Sequence, residues 1–174
     1  AGHDVDELPE SGVDPLGWQD PLRTLIRAIE GFSAPIIARV EGSVWGGACE
    51  LVFACDLIVA TPGASFAATP AKLGVPYNAS GLLTFLNVAP AHIARELLFT
   101  AKPMSAARLA QFGIINHLVE AAEIAAFTHE LARTIAHNSP LVVSVMKEQL
   151  RILAGAQALS PQDFERLQGL RRVV

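Results

Sequence analysis

The run from Val40 to Leu51 has the composition of a turn that brings backbone amides against a ligand. It contains three glycines, which separate an apolar segment that predicts a strand (36–40) from one that predicts a short helix (48–54). Glycine lets a ligand approach the backbone closely, and the first amides of a helix have no partner within that helix. The run therefore predicts an anion site, although a tight strand-to-helix turn with no ligand fits the same spacing. No Gly-Lys-Ser/Thr follows, so it is not a phosphate-binding P-loop.

Few other side chains stand out as candidates for chemistry. Glu50 follows Gly47 by three residues, and Tyr77 is the single tyrosine of the chain. A packed tyrosine with a satisfied hydroxyl is the alternative to a functional one. The histidines show no metal-ligand spacing, so we predict no metal; they are His3, His92, His117, His129 and His137.

The flanking elements indicate how these residues are positioned. Residues 1–19 are rich in Gly, Pro and Asp and predict a loop; Asp20 and Pro21 then predict a helix start, and Gly31 its end. Its apolar face is expected to comprise Leu22, Leu25, Ile26 and Ile29. Further strands are predicted at 57–60, 65–67 and 114–119, and helices at 91–99, 105–112, 121–136, 140–153 and from Ser160. Short strands alternating with helices indicate an α/β fold.

Composition excludes several classes of protein. Of 174 residues, 51% are apolar and 17% charged, which excludes intrinsic disorder. The net charge of −4 does not indicate the positively charged surface that nucleic-acid-binding proteins carry. No apolar run is long enough to span a membrane. Cys49 and Cys55 do not make a disulfide framework, so we expect buried free thiols and a reducing, cytoplasmic location.

Several segments together resemble the crotonase (enoyl-CoA hydratase/isomerase) superfamily. The first is the run Gly-x-x-x-Gly-Gly-x-x-Glu-Leu from Gly42, followed by Cys-Asp-Leu-Ile-Val-Ala at 55–60. The opening Ala-Gly-His-Asp-Val resembles that family's first oxyanion loop, and the segment 100–119 resembles its threonine and Ala-x-x-x-Gly-Ile-x-Asn-x-Val run. The resemblance covers essentially the whole chain. It implies an α/β crotonase-like ββα spiral core followed by C-terminal helices.

The resemblance also implies a role for each matching residue. The backbone amides of His3 and Gly47 would form an oxyanion hole for a thioester oxygen. Tyr77 and Thr69 would lie at the reacting carboxylate of the substrate, with Tyr77 holding it out of the thioester plane or standing near the carbon to be protonated. The His3 side chain either orients that carboxylate or faces solvent. The remaining substrate-binding positions would be Ala1, Gly2, Asp4, Val5 and Gly46.

The acidic residues decide which reaction of the family is expected. Hydratases of the family use two glutamates, and here Glu50 fills the first position whereas residue 71 is alanine. Decarboxylation needs no base, because departing CO2 leaves the enolate directly. The resemblance, closest to decarboxylating members, therefore implies conversion of methylmalonyl-CoA to propionyl-CoA, with Glu50 either structural or catalytic. The alternatives are another crotonase activity on an acyl-CoA (isomerase, hydratase or thioesterase) or a non-catalytic CoA-thioester-binding subunit.

The same resemblance sets expectations for organisation and partners. Residues 1–119 would form a partial spiral core and 120–174 a partial helical region, since the family's first strands and last helices fall outside 1–174. We therefore expect a segment of a longer protein. The expected partner is an acyl-CoA thioester, with CoA entering as part of the substrate and no separate cofactor. A homotrimer or hexamer is expected, with no nucleic acid or membrane partner.

Overall fold

A computed structural model describes residues 20–154 together with Gln162 and Glu165. Residues 1–19, and with them the predicted first loop, lie outside the described residues, as does most of the helix expected from Ser160. The helices are α1 Pro21–Glu30, α2 Gly47–Phe53, α3 Pro70–Leu73, α4 Ala79–Val88, α5 Ala91–Thr100, α6 Ala106–Gln111, α7 Ile124–Ala136 and α8 Pro140–Ala154. The strands are β1 Ile37–Val40, β2 Ser43–Trp45, β3 Leu57–Ala60, β4 Ser65–Ala67, β5 Met104–Ser105 and β6 His117–Leu118.

The six strands of the described part of the chain form two small sheets of three strands each. One sheet has the order β1-β3-β6 and is parallel throughout; the other has the order β2-β4-β5, with β2 parallel to β4 and β5 antiparallel to it. The chain thus leaves β1 for β2, crosses through α2, and repeats the same step with β3 and β4. This repeated ββα unit confirms the expected α/β spiral.

Local sequence signals explain where several helices begin. Asp20 caps α1 by accepting a hydrogen bond from the amide of Leu22 (2.8 Å), with Pro21 at the first helical position, and Gly31 ends the helix, as predicted. Ser105 caps α6 by accepting from the amide of Arg108 (3.2 Å). The strands predicted at 57–60 and 65–67 are confirmed as β3 and β4.

Other predictions need correction. The glycine run was expected to be one turn but contains β2, because residues 43–45 pair in parallel with β4. The strand predicted at 114–119 is reduced to β6, and the helix predicted from residue 121 begins at Ile124. Helix α4 was not predicted. Cys49 is buried, but Cys55 is only partly so.

The apolar core lies between the sheets and helices α2, α4, α5 and α6. Its largest fully buried side chains include Phe66 and Phe85. Phe53 stacks on Phe66 with ring centroids 5.9 Å apart and meets Phe85 edge-on at 5.4 Å. Helix α7 packs against β1 and β3. The division of the chain after residue 119 stays a prediction.

Helix α8 is attached to the rest of the fold through Lys147. Its Nζ donates to the carboxylate of Asp56 (2.7 Å) and to the carbonyl oxygens of Ile29 (3.2 Å) and Ala34 (3.0 Å). Asp56 also accepts from the amide of Ile36 (2.7 Å). One largely buried ammonium therefore connects α8 to the end of α1 and the start of the first sheet. None of the helices in the described part of the chain is both long and apolar enough to cross a membrane.

We predict that Lys147→Met lowers the free energy of unfolding by about 2 kcal/mol, because three acceptors lose a charged donor. Urea unfolding followed by circular dichroism measures the change. The matched control is Arg151→Met on the same helix, which removes an exposed ion pair with Glu148 and should leave the unfolding midpoint unchanged. Equal midpoints for Lys147→Met and the unsubstituted protein would contradict this role.

Candidate active site

The turn between β2 and α2 requires glycine at position 46. Gly46 has φ 59° and ψ −131°, a conformation that side chains other than hydrogen rarely adopt. A Cβ atom there would also lie 3.1 Å from Oγ1 of Thr69. The amide of Gly46 donates to the carbonyl oxygen of Ala67 (2.8 Å), which fixes the turn to the end of β4. Gly46 and Thr69 therefore lie beside each other at this turn.

Gly47 is buried, and its amide donates to no described residue. The other half of the same peptide is held firmly: the carbonyl oxygen of Gly46 accepts from the amide of Cys49 (3.0 Å) and from the hydroxyl of Tyr77 (3.3 Å). Helix α2 has seven residues, so its dipole is short and the free amide itself is the relevant donor. The Gly47 N–H is therefore available as a donor at this turn, and its role in an oxyanion hole stays a prediction.

Tyr77 is buried between the glycine turn and α4. Its ring meets Phe85 edge-on, with centroids 5.2 Å apart. Burial, and to a smaller extent the neighbouring Cys49 thiol, raises the pKa of the Tyr77 hydroxyl well above its ordinary value. The hydroxyl therefore stays protonated and acts as a hydrogen-bond donor rather than as an acid.

Glu50 is fully buried and forms an ion pair with Arg23 of α1. Its Oε1 accepts from Nη1 of Arg23, whereas its Oε2 has no partner among the described residues. Burial lowers the pKa of the Arg23 guanidinium, yet arginine stays charged at any ordinary pH. Glu50 is thus engaged in holding α1 on α2.

Arg23 was not identified from the sequence. The apolar face of α1 was expected to include Leu25, but Leu25 is exposed, and the buried residues of the helix are Arg23 and Ile26. The spacing of three between Arg23 and Ile26 places them on one face. The helix is rotated from the expected orientation because the guanidinium reaches a buried carboxylate on α2.

Gly81, in the first turn of α4, was also missed. A Cβ atom there would lie 2.9 Å from Oε1 of Glu50 and 3.0 Å from Cδ1 of Tyr77. Its amide donates to the capping side chain of Asn78 (2.7 Å). A glycine inside an apolar helical run is a signal of close packing. Here it lets α4 approach α2 so closely that Glu50 and Tyr77 both border the space that a side chain at position 81 would occupy.

A cavity of about 360 Å³ adjoins Tyr77. The part of its wall formed by described residues is largely apolar and carries no charged side chain; these residues are Ala68, Pro70, Ala71, Gly74, Val75, Pro76, Tyr77, Leu82, Leu98 and Phe99. Ala71, where hydratases of the family were expected to carry a second glutamate, forms part of that wall. Phe99 is 76% exposed, which places it at the open side of the cavity.

The structure brings together Gly46, Gly47, Thr69 and Tyr77, and places Glu50 directly behind them. The remaining predicted positions lie outside the described residues; they are Ala1, Gly2, His3, Asp4 and Val5. Among the residues that the structure describes, no three His, Cys, Asp or Glu side chains cluster as metal ligands would.

Comparison with known proteins gives a consistent result. The model of the family described as enoyl-CoA hydratase/isomerase matches residues 1–166. The chain is 48% identical over 174 residues to methylmalonyl-CoA decarboxylase of Escherichia coli K12, covering all of this chain and 67% of that protein. It is 33% identical over 145 residues to carnitinyl-CoA dehydratase of the same strain, covering 83% of this chain and 54% of that one.

A solved structure of methylmalonyl-CoA decarboxylase in complex with 2-nitronate-propionyl-CoA superposes with a TM-score of 0.97 at 48% identity. The superposition covers 99% of this chain and 66% of that one, so the chain spans about two thirds of that protein's length. These comparisons agree with the ββα spiral: the family model matches most of the chain, and the chain is similar in sequence to both relatives. The chain belongs to the enoyl-CoA hydratase/isomerase family.

Proposed function

We propose that the protein decarboxylates methylmalonyl-CoA to propionyl-CoA through a thioester enolate. The observation that carries the proposal is the ion pair between Glu50 and Arg23, which engages the one acid that the described residues place at the site. Ala71 stands where a second acid would be needed for hydration. The described residues offer a free oxyanion donor but no free acid–base pair, which suits a reaction that forms its enolate without removing a C–H proton.

The proposed reaction has two steps. The bond between the α carbon and the carboxylate breaks, its electron pair passes into the enolate, and CO2 leaves. The negative charge gathers on the thioester oxygen, which the amides of Gly47 and His3 would hold; one such donor contributes roughly 3 kcal/mol to transition-state stabilisation. The α carbon then takes one proton from water, giving propionyl-CoA.

Tyr77 and Thr69 would orient the carboxylate in this scheme. Decarboxylation is fastest when the breaking bond is perpendicular to the thioester plane, since only then does it overlap the carbonyl π system. Thr69 makes no capping bond to α3, which leaves its hydroxyl available beside Gly46. The raised pKa of Tyr77 keeps its hydroxyl a donor across the working pH range. The relatives support the substrate class, because the matching decarboxylase has been solved with a propionyl-CoA derivative.

The test incubates the complete protein separately with methylmalonyl-CoA and with crotonyl-CoA, in buffer without any added cofactor. We expect CO2 from the first substrate and no hydration of the second. The variant Tyr77→Phe should lower decarboxylation roughly 100-fold, in the range seen on losing a group that acts in the transition state. Its binding of propionyl-CoA, measured by calorimetry, should change by no more than a few fold.

Three outcomes would count against the proposal. Hydration or isomerisation of crotonyl-CoA would favour another activity of the family, and binding of thioesters without any turnover would favour a non-catalytic subunit. A need for an added cofactor would contradict the expectation that CoA enters only with the substrate.

A second prediction concerns Glu50. Removing one member of a buried ion pair costs about 3–5 kcal/mol, because the other charge is left uncompensated. We expect Glu50→Gln to lower the free energy of unfolding by an amount of that order, and Arg23→Gln/Glu50→Gln to recover much of it. Turnover per folded molecule of the double variant should stay within about five-fold, whereas loss of a general acid or base costs about 100-fold or more.

Urea unfolding and turnover normalised to the folded fraction measure the two effects. If both variants lost turnover equally while the double variant regained stability, Glu50 would be a catalytic acid or base. The hydratase or isomerase alternative would then gain the support that decarboxylation lost.

We further propose that the protein is a homotrimer or hexamer in a reducing, cytoplasmic location. Two free cysteines support the location, and cell fractionation checks it. Support for the assembly comes from α8, whose apolar side chains are exposed on most of its surface; they are Leu141, Val142, Val145, Met146, Leu150, Ile152 and Leu153. The proposed occupant of this surface is a second copy of the protein.

We predict that Leu141→Glu/Leu150→Glu dissociates the complete protein into monomers, because two carboxylates would have to be desolvated in the interface. Sedimentation velocity measures the assembly. The matched control is Leu25→Glu, an exposed leucine on α1, which should leave the sedimentation coefficient unchanged. A monomeric unsubstituted protein would overturn the proposed assembly.

A further inference from the structure

The hydroxyl of Tyr77 contacts the backbone of the glycine turn between β2 and α2. It donates to the carbonyl oxygen of Gly46 (3.3 Å), and that carbonyl belongs to the same peptide unit as the amide of Gly47. In a planar trans peptide the C=O and N–H bonds point in opposite directions. A donor on the oxygen of this unit therefore fixes the direction in which the Gly47 N–H points.

The same hydrogen bond also changes the strength of the N–H as a donor. Hydrogen bonds in a chain polarise one another, by about 10–30% per bond. The Gly46 carbonyl receives two donors, from Tyr77 and from the amide of Cys49. Both withdraw electron density from the peptide, and the Gly47 N–H on its other side has no acceptor among the described residues.

We propose that Tyr77 is a positioning residue for the oxyanion hole, acting through the Gly46–Gly47 peptide. This role rests on the proposed function, since it assumes that the Gly47 amide binds the thioester oxygen. It is separate from any contact with the substrate carboxylate, because one hydroxyl proton cannot be donated fully to both acceptors. The role applies whenever no carboxylate engages the hydroxyl, including the moment after CO2 has left, when charge on the thioester oxygen is greatest.

The position of Tyr77 is set by its surroundings rather than by substrate. Its ring lies edge-on to Phe85, and the bare Cα of Gly81 permits the close approach of α4. Burial keeps the phenol protonated. The hydroxyl is therefore available to the peptide before any ligand enters.

A carboxylate-free ligand separates the two roles. The complete protein is mixed with propionyl-CoA carrying ¹³C at the thioester carbonyl, and the carbonyl stretch is recorded by difference infrared spectroscopy. Polarisation by the oxyanion hole lowers this frequency. We expect Tyr77→Phe to shift the bound band back towards that of free propionyl-CoA, although this ligand has no carboxylate for Tyr77 to hold.

The matched control is Thr84→Val. It removes another buried hydroxyl from α4, one that donates within the helix to the carbonyl oxygen of Ser80 (3.2 Å) and does not contact the glycine turn. The band of this variant should coincide with that of the unsubstituted protein. Equal bands for Tyr77→Phe and the unsubstituted protein would overturn the proposal, as would an equal shift in Thr84→Val.

A second measurement needs no ligand. Positions 46 and 47 are the only adjacent glycines in the 174 residues, so labelling with glycine that carries ¹³C at the carbonyl and ¹⁵N gives one ¹³C–¹⁵N peptide correlation for this chain. Tyr77→Phe should move both its carbon and its nitrogen shifts, and Thr84→Val should move neither. Unchanged shifts in Tyr77→Phe would refute the hydrogen bond itself. If the shifts move but propionyl-CoA does not bind, the proposed function fails, and with it the role assigned to the peptide.

Discussion

The orientation of one peptide bond, between Gly46 and Gly47, is the constraint on which the candidate site depends. Three separate parts of the fold fix it: the end of β4 through Ala67, the first turn of α2 through Cys49, and α4 through Tyr77 and its packing on Phe85. None of these contacts involves the N–H of Gly47, which leaves that group available to a ligand. Because the two-sheet spiral brings the end of β4 beside the end of β2, the site follows from the topology of the fold.

Next to this peptide, helices α1 and α2 are joined by a buried ion pair, and α4 packs closely against it at Gly81. Arg23 and Glu50 are 4% and 0% exposed, and such a pair contributes little net stability, since the cost of desolvating both ions offsets most of their attraction. The ion pair matters more for the chemistry of Glu50 than for the stability of the fold. A carboxylate held by a buried guanidinium is a poor base, because the ion pair favours its charged, unprotonated form.

Much of this arrangement could be predicted from the sequence, and the exceptions have a common cause. The cap at Asp20, the glycine turn and strands β3 and β4 rest on local signals, because a single residue type or a short apolar run determines them. The buried face of α1 could not be predicted, since it depends on a carboxylate 27 residues away. For the same reason β2 was missed: three residues make a strand only when β4 lies beside them to pair with.

The apolar cavity beside Tyr77 connects the missing acid to the proposed reaction. A substrate carboxylate placed against this wall would lose water without gaining a charged partner from the lining residues, which disfavours the charged group. Loss of CO2 moves that charge to the thioester oxygen, where the Gly47 amide can meet it, so the reaction transfers charge from a poorly solvated position to a better one. A glutamate at position 71 would repel the same carboxylate. Alanine at this position therefore suits the proposed decarboxylation in two ways: it removes a base that the reaction does not need, and it keeps negative charge away from the group that would leave.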